Sequence, residues 1–295
     1  MATEQATLKY PERIPGKNIT EDDKMIVNHN VSALEALTNL SNTDTKMQSS
    51  LEKLSSGLKI TKSSDDAAGL AISEQMRSQI NALGQAKSNA QDGVSLLQTA
   101  EGALNTTTDV LQRLNTLAVR AANDATLTTS DKGLIQSEAD QLTSELTRMS
   151  STVQFNTKSL LDGSFTGETL QVGTSSKTSD QLTISITGVD ATTLGINSLD
   201  FVNSATGAID SITSAITTVS TNRGAIGAVM NRLEETNSNI DIETTNMTAS
   251  ESRIRDVDMA SEMSNYTKLQ VMEQAGTAML AQANSLPNNV LSLLK

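Results

Sequence analysis

An apolar stripe runs from Ile209 to Ile254 in steps of three or four residues, without a break. Its members are Ile209, Ile212, Ile216, Val219, Arg223, Ile226, Met230, Leu233, Asn237, Ile240, Thr244, Met247, Glu251 and Ile254. That is the period of one helix face, held for longer than an ordinary globular helix lasts. Four of the fourteen positions are polar, and polar groups on a seam fix register at some cost in stability. A second run matches it: Ile72, Met76, Ile80, Leu83, Ala90, Val94, Leu97, Leu104, Leu111 and Leu114 share a face that continues to about Ala122. Some 50 residues at 1.5 Å each make a rod of roughly 75 Å. Such rods pack against other helices, so the chain is expected to be mainly α, a long antiparallel coiled-coil or helical-bundle rod.

Both ends carry heptad seams of their own. Leu269, Met272, Gly276, Met279, Ala283, Leu286, Val290 and Leu293 form the last one, with Val271, Ala275, Ala278, Leu280 and Leu294 beside it. One partner helix would leave much of that surface wet, which points to several neighbours. The segment also contains Gly276 and Pro287, which cost a helix roughly 1 and 3 kcal/mol against alanine. It is expected to be helical when packed and poorly ordered alone. Near the other end, Ala33, Leu37, Leu40, Met47, Leu51, Leu54 and Leu58 hold a similar seam with Asp44 as the one polar intruder, and Val27, Val31 and Leu34 adjoin it.

Between these runs the chain turns twice. Gly57 to Gly69 (GLKITKSSDDAAG) reads as a loop in which Ser64 or Asp65 caps the next helix. Residues 123–131 (NDATLTTSD) form a second turn, followed by a helix carrying Ile135, Leu142, Leu146, Met149 and Val153. From Ser164 to about Thr206 the composition shifts to Ser, Thr and Gly, and Leu182, Ile184 and Ile186 alternate with polar residues as a strand does. Phe155, Phe165 and Phe201 lie in or beside this part, which predicts a small β-rich region at the chain's midpoint with its own core. The simplest layout is an antiparallel hairpin with that region at the turn. Residues 1–24, with Pro11, Pro15 and scattered charges, have no helical period and read as a disordered extension.

Composition narrows the function. Aromatics make up 2% of the chain, too few for a compact enzyme-like core. A net charge of −12 argues against a nucleic-acid partner, because phosphate binding needs a basic face. No apolar run approaches a membrane span, and residues 1–24 hold none that would make a cleavable signal peptide. With no cysteine, disulfides, thiol catalysis and thiolate zinc sites are all excluded. His29 is the single histidine, and neither a P-loop nor GxGxxG, GxSxG or HExxH is present, so no enzyme, cofactor or metal site is expected. Asp65 and Asp66 read as a helix start that favours negative charge at its dipole.

The residues of these seams resemble bacterial flagellin. MIVNHNVSALEAL (Met25–Leu37), LEKLSSGLKI (Leu51–Ile60), SDDAAGLAIS (Ser64–Ser73), SNAQDGVSLLQTAEGAL (Ser88–Leu104) and LQRLNTLAV (Leu111–Val119) are similar to the family's N-terminal signature. ESRIRDVDMASEMS (Glu251–Ser264) and AGTAMLAQANSLPNNVLSLL (Ala275–Leu294) are similar to its C-terminal one. Residues 1–24 have no counterpart in it.

The resemblance implies a division into an inner tube domain, from residues 25–65 and 251–295, and a core domain. The core domain would comprise helices over 66–163, the β-rich part over 164–206 and a helix over 207–250. It further implies a structural subunit that self-assembles into the extracellular flagellar filament for swimming motility. The subunit would leave the cell unfolded through the flagellar type III system, escorted by an export chaperone and added beneath a filament cap. On this reading the assembly seams are Leu37, Leu40, Met47, Leu51, Leu54 and Leu58, facing Leu269, Met272, Met279, Leu286, Val290 and Leu293. The resemblance also extends to the surface sensed by Toll-like receptor 5, where Arg113, Leu117 and Glu138 match while Asn115 and Thr116 replace a common Arg–Glu pair. A hook–filament junction protein with similar termini and a secreted receptor ligand are the rival readings.

Overall fold

A computed structural model of the chain describes residues 29–293. The expected extension at 1–24, together with Met25 and Val27, lies outside the described residues, as do the side chains of Val290 and Leu293. The described chain is mainly helical, with α1 (Val31–Ser56), α2 (Ala67–Ala121), α3 (Thr129–Thr152), α4 (Ala205–Arg255) and α5 (Met259–Leu293). Four short strands lie between α3 and α4: β1 (Gln154–Phe155), β2 (Lys158–Ser159), β3 (Glu168–Gln171) and β4 (Gln181–Ile184). The chain forms two compact units, one spanning Lys62–Arg255 and the other built from the described parts of Met1–Thr61 and Asp256–Lys295.

In the Lys62–Arg255 unit, α2 and α4 run antiparallel along each other. Lys87 meets Asp241 at 2.6 Å and, further along α2, Arg223 meets Glu101 at 2.8 Å. The buried line on α2 is Leu83, Ala86, Ala90, Gly93, Leu97, Ala100, Leu104, Thr107, Leu111, Leu114, Ala118 and Ala121. Its steps alternate strictly between three and four, so small and large residues interleave along one seam. On α4 the buried line is Ala205, Ala208, Ile212, Ala215, Val219, Ile226, Leu233 and Ile240. The expected α4 face is thus rotated slightly at its start, where Ala208 and Ala215 are buried and Ile209 and Ile216 only partly so. The alanines let the two backbones approach, and the bulkier isoleucines pack at the flank. Ile72, expected on the α2 face, is 48% exposed.

The helix starts follow local chemistry. The cap of α2 is Asp66 rather than Ser64 or Asp65: its carboxylate accepts from the Gly69 N–H at 2.9 Å. Asp65 instead accepts from the Lys62 N–H at 3.2 Å, closing the preceding turn. At the start of α3, Thr128 and Asp131 form a capping box.

The β region begins earlier than the composition shift at Ser164, because β1 and β2 already pair as a hairpin. β3 and β4 form a second hairpin, with Leu170 opposite Leu182. Leu182, Ile184 and Ile186 are buried as their alternation predicts, and they share a core with Phe165 and Phe201. Side-chain amides join this region to the helices. Gln136 of α3 donates to the Leu199 carbonyl and accepts from the Phe201 N–H, both at 2.8 Å. Asn89 of α2 donates to the Gln171 carbonyl at 3.0 Å. The β3 hairpin leans on α2 at Gly93, where a β-carbon would stand 2.4 Å from Leu170 Cδ2.

Candidate assembly surface

The second unit is an antiparallel pair, α1 against α5. Gly57 ends α1 in the left-handed conformation (φ 73°) and its carbonyl accepts from the Val257 N–H at 3.0 Å. At the far end, the Asn30 side chain donates to the Ala283 carbonyl at 2.8 Å. Between them, the Ser50 hydroxyl donates to the Glu262 carboxylate.

Each helix covers one heptad line. On α1 its positions are Ala33, Ala36, Leu40, Thr43, Met47, Ser50 and Leu54, with Asp44, Ser49 and Lys53 half-covered beside them. On α5 they are Glu262, Tyr266, Leu269, Glu273, Gly276, Leu280, Ala283 and Pro287. Both lines step by three and four, as facing antiparallel helices require. Their content is unusual, because the two fully buried residues of α1 are Thr43 and Ser50.

The larger apolar residues lie beside these lines and are bare. Val31, Leu34, Leu37 and Leu51 on α1, and Met259, Met263, Val271, Met272, Met279 and Leu286 on α5, are all exposed, between 47% and 65%. The single seam expected on each helix therefore resolves into two. Leu40, Met47, Leu54 and Leu269 belong to the covered line and Leu58 is half-covered, whereas Leu37, Leu51, Met272, Met279 and Leu286 do not touch it. Adjacent heptad lines are about 50–100° apart on a helix, too close for period alone to separate them. Gly276 and Pro287, which read as helix defects, lie on the covered line of a helix that continues through both.

The two bare stripes occupy opposite flanks of the pair. Met272, Met279 and Leu286 recur at sevens with Asn265, and Asn265 lines a cleft of about 200 Å³ with Lys46 and Lys53. Glu262 of α5 lines the same cleft, so lysines and a carboxylate share that flank. Leu37 and Leu51 stand on the other side of the covered line, the side on which α5 carries Asn284, Thr277, Gln270 and the bare Met263. Neither stripe can be satisfied by the helix already present. Among the described residues, the clusters of buried hydrophobic residues lie within Lys62–Arg255.

On α2 and α3 of the larger unit, Arg113 donates through Nε and Nη2 to one Glu138 oxygen, at 2.9 and 2.6 Å. Both side chains are largely exposed. Leu117 is 2% exposed and belongs to the core. The Thr116 hydroxyl donates to the Arg113 carbonyl at 2.7 Å, and Asn115 keeps a buried Oδ1 without a partner. Sequence alone did not separate the exposed pair from the buried leucine, which needs the neighbouring helix.

Among the described residues, no group of three His, Cys, Asp or Glu side chains could hold a metal ion, and no helix is long and apolar enough to cross a membrane. The lowered pKa values have local causes. Hydrogen bonds from Ser164 hold Asp162 below the ordinary carboxylate value, and those from Ser175 do the same for Asp180. Bonds from Asn203 lower Asp200, and the Arg255 guanidinium lowers Glu74. The three aspartates make loop contacts, and Glu74 and Arg255 form an ion pair between α2 and α4.

Residues 27–166 match the family model for the bacterial flagellin N-terminal helical region, and residues 209–294 match that for the C-terminal helical region. The chain is 46% identical to a flagellin of Halalkalibacterium halodurans and 44% identical to one of Bacillus subtilis, each alignment covering 92% of this chain and all of the relative. It is also 44% identical, at the same coverage, to the flagellar filament 33 kDa core protein of Treponema phagedenis. The crystal structure of Bacillus cereus flagellin aligns at 28% identity with a TM-score of 0.45, over 56% of this chain and 94% of that one. The matched regions contain both long helical seams and the bare-faced α1–α5 pair, and with relatives aligned over their whole length they place this chain in the bacterial flagellin family.

Proposed function

We propose that this chain is a structural subunit of a flagellar filament, joined to further copies through the bare stripes of α1 and α5. One observation carries the reading: a helix pair that buries Thr43 and Ser50 while leaving Leu37, Leu51, Met279 and Leu286 in water is incomplete by itself. Apolar side chains of this size gain about 1.5–3 kcal/mol each on burial, which favours further neighbours. Stripes on opposite flanks suit open, head-to-tail contacts, which propagate into a helical filament rather than closing into a dimer. In this reading α1 and α5 form the inner tube domain and Lys62–Arg255 the core domain.

Composition supports export as part of the same reading. A chain without cysteine and with few aromatics can be threaded unfolded through the flagellar type III system, with a chaperone shielding the α5 segment until a filament cap receives it. Recognition by Toll-like receptor 5 would use the exposed Arg113–Glu138 pair, with Leu117 holding α2 in place from beneath.

The test is seeded polymerisation of the purified chain, followed by electron microscopy. Filaments that lengthen by many subunits are expected. Assembly that stops at short rings, even with seeds, would instead identify a hook–filament junction protein.

A further inference from the structure

Of the methionines among the described residues, Met47, Met76, Met149, Met230 and Met247 are half-buried. The other four, Met259, Met263, Met272 and Met279, are exposed, and all four lie on α5. The chain has no cysteine, so thioethers are its only sulfur and no thiol competes for an oxidant. Met272 and Met279 are 47% and 64% exposed and stand seven residues apart on one stripe with Leu286.

We propose that Met272 and Met279 are oxidation sites through which peroxide blocks a free subunit from assembling, and that assembly shields them. The proposal rests on the reading that the α5 stripe is buried between copies. In the reaction, a sulfur lone pair attacks one peroxide oxygen, an S–O bond forms and the O–O bond breaks. The sulfur is oxidised by two electrons to the sulfoxide, and hydrogen peroxide is reduced to water. A flexible apolar side chain thereby becomes a strong hydrogen-bond acceptor. Buried between copies, it would leave water at a desolvation cost that the apolar thioether does not carry. Methionine suits such a stripe because it adapts to the neighbouring surface, and the same sulfur makes the surface vulnerable before it is covered.

The experiment compares free chain and preformed filaments of the full-length protein, each treated with hydrogen peroxide. Peptide mass spectrometry maps the sulfoxides, and light scattering follows seeded elongation. Sulfoxide at Met272 and Met279 is expected in the free chain and strongly reduced in filaments. Elongation of the oxidised chain should fall by about tenfold, the equivalent of desolvating one polar group. Methionine sulfoxide reductases acting on both epimers should restore it. A double variant, Met272→Leu with Met279→Leu, should lose less than about twofold on the same treatment, whatever its own starting rate, because the sulfur is gone. Oxidised native chain elongating at its untreated rate would overturn the proposal, as would a double variant slowed as much as the native chain. Failure of untreated chain to elongate on seeds would overturn the assembly reading itself.

Discussion

Gly276 packs directly against Leu40: a β-carbon on Gly276 would lie 3.2 Å from Leu40 Cδ1, closer than most such contacts. The residue that weakens α5 as an isolated helix is the one that lets α1 approach it. Gly276→Leu should therefore force the two helices apart, since it adds three atoms beyond a β-carbon that already crowds Leu40. Overpacking of this kind costs typically 1–3 kcal/mol. Seeded elongation is expected to fail while the main thermal transition, which reports the Lys62–Arg255 core, is unchanged.

Deleting Leu269–Lys295 should leave a soluble, helical protein that melts like the full chain but forms no filament. Both buried clusters lie outside the deleted segment. Circular dichroism measures the first part and electron microscopy the second. Filaments from the truncated protein would rule out the assembly role given to α5.

The bare stripe and the core should respond in opposite ways to truncation. Leu51→Ser replaces a side chain that is 54% exposed, and is expected to change unfolding free energy by less than about 0.5 kcal/mol while impairing polymerisation. Leu104→Ala empties a fully buried seam position and should cost about 2–5 kcal/mol in denaturant titration.

Gln136 bridges α3 to the segment entering α4 with both ends of its amide. Gln136→Leu keeps the bulk but orphans the Leu199 carbonyl and the Phe201 N–H. A loss of about 1–3 kcal/mol is expected, with faster amide hydrogen exchange concentrated at Phe201.

Acid should loosen the β region. The folded-state pKa values of Asp162, Asp180 and Asp200 lie below their ordinary 3.8, so each contributes stability that is complete at neutral pH. The contribution is lost as pH falls below about 4 and through the lowered folded values. Thermal melts should thus be flat from pH 7 to 5 and fall at more acid pH, and Asp180→Asn should reduce that fall.

Much of the fold can be read from the chain itself. The α2 and α4 faces follow a three–four period that local chemistry enforces, and Leu182, Ile184 and Ile186 alternate because a strand shows one face to a core. The start of α2 is not legible to the residue, because Ser64, Asp65 and Asp66 are all competent caps and only the turn decides among them.

Periodicity along the chain dictates which surfaces must leave water, the apolar stripes along α1, α2, α4 and α5. Which neighbour covers each stripe is settled by the packing of the folded chain. In the Lys62–Arg255 unit the partner is intramolecular, so leucines and alanines interleave and the seams close. Between α1 and α5 the close approach goes to small and polar residues such as Thr43, Ser50 and Gly276, and Leu37, Leu51, Met272, Met279 and Leu286 are left bare. Hydrophobic periodicity records that a surface is to be buried, because transfer from water is non-directional. It does not record what will bury it, which depends on how closely two backbones approach.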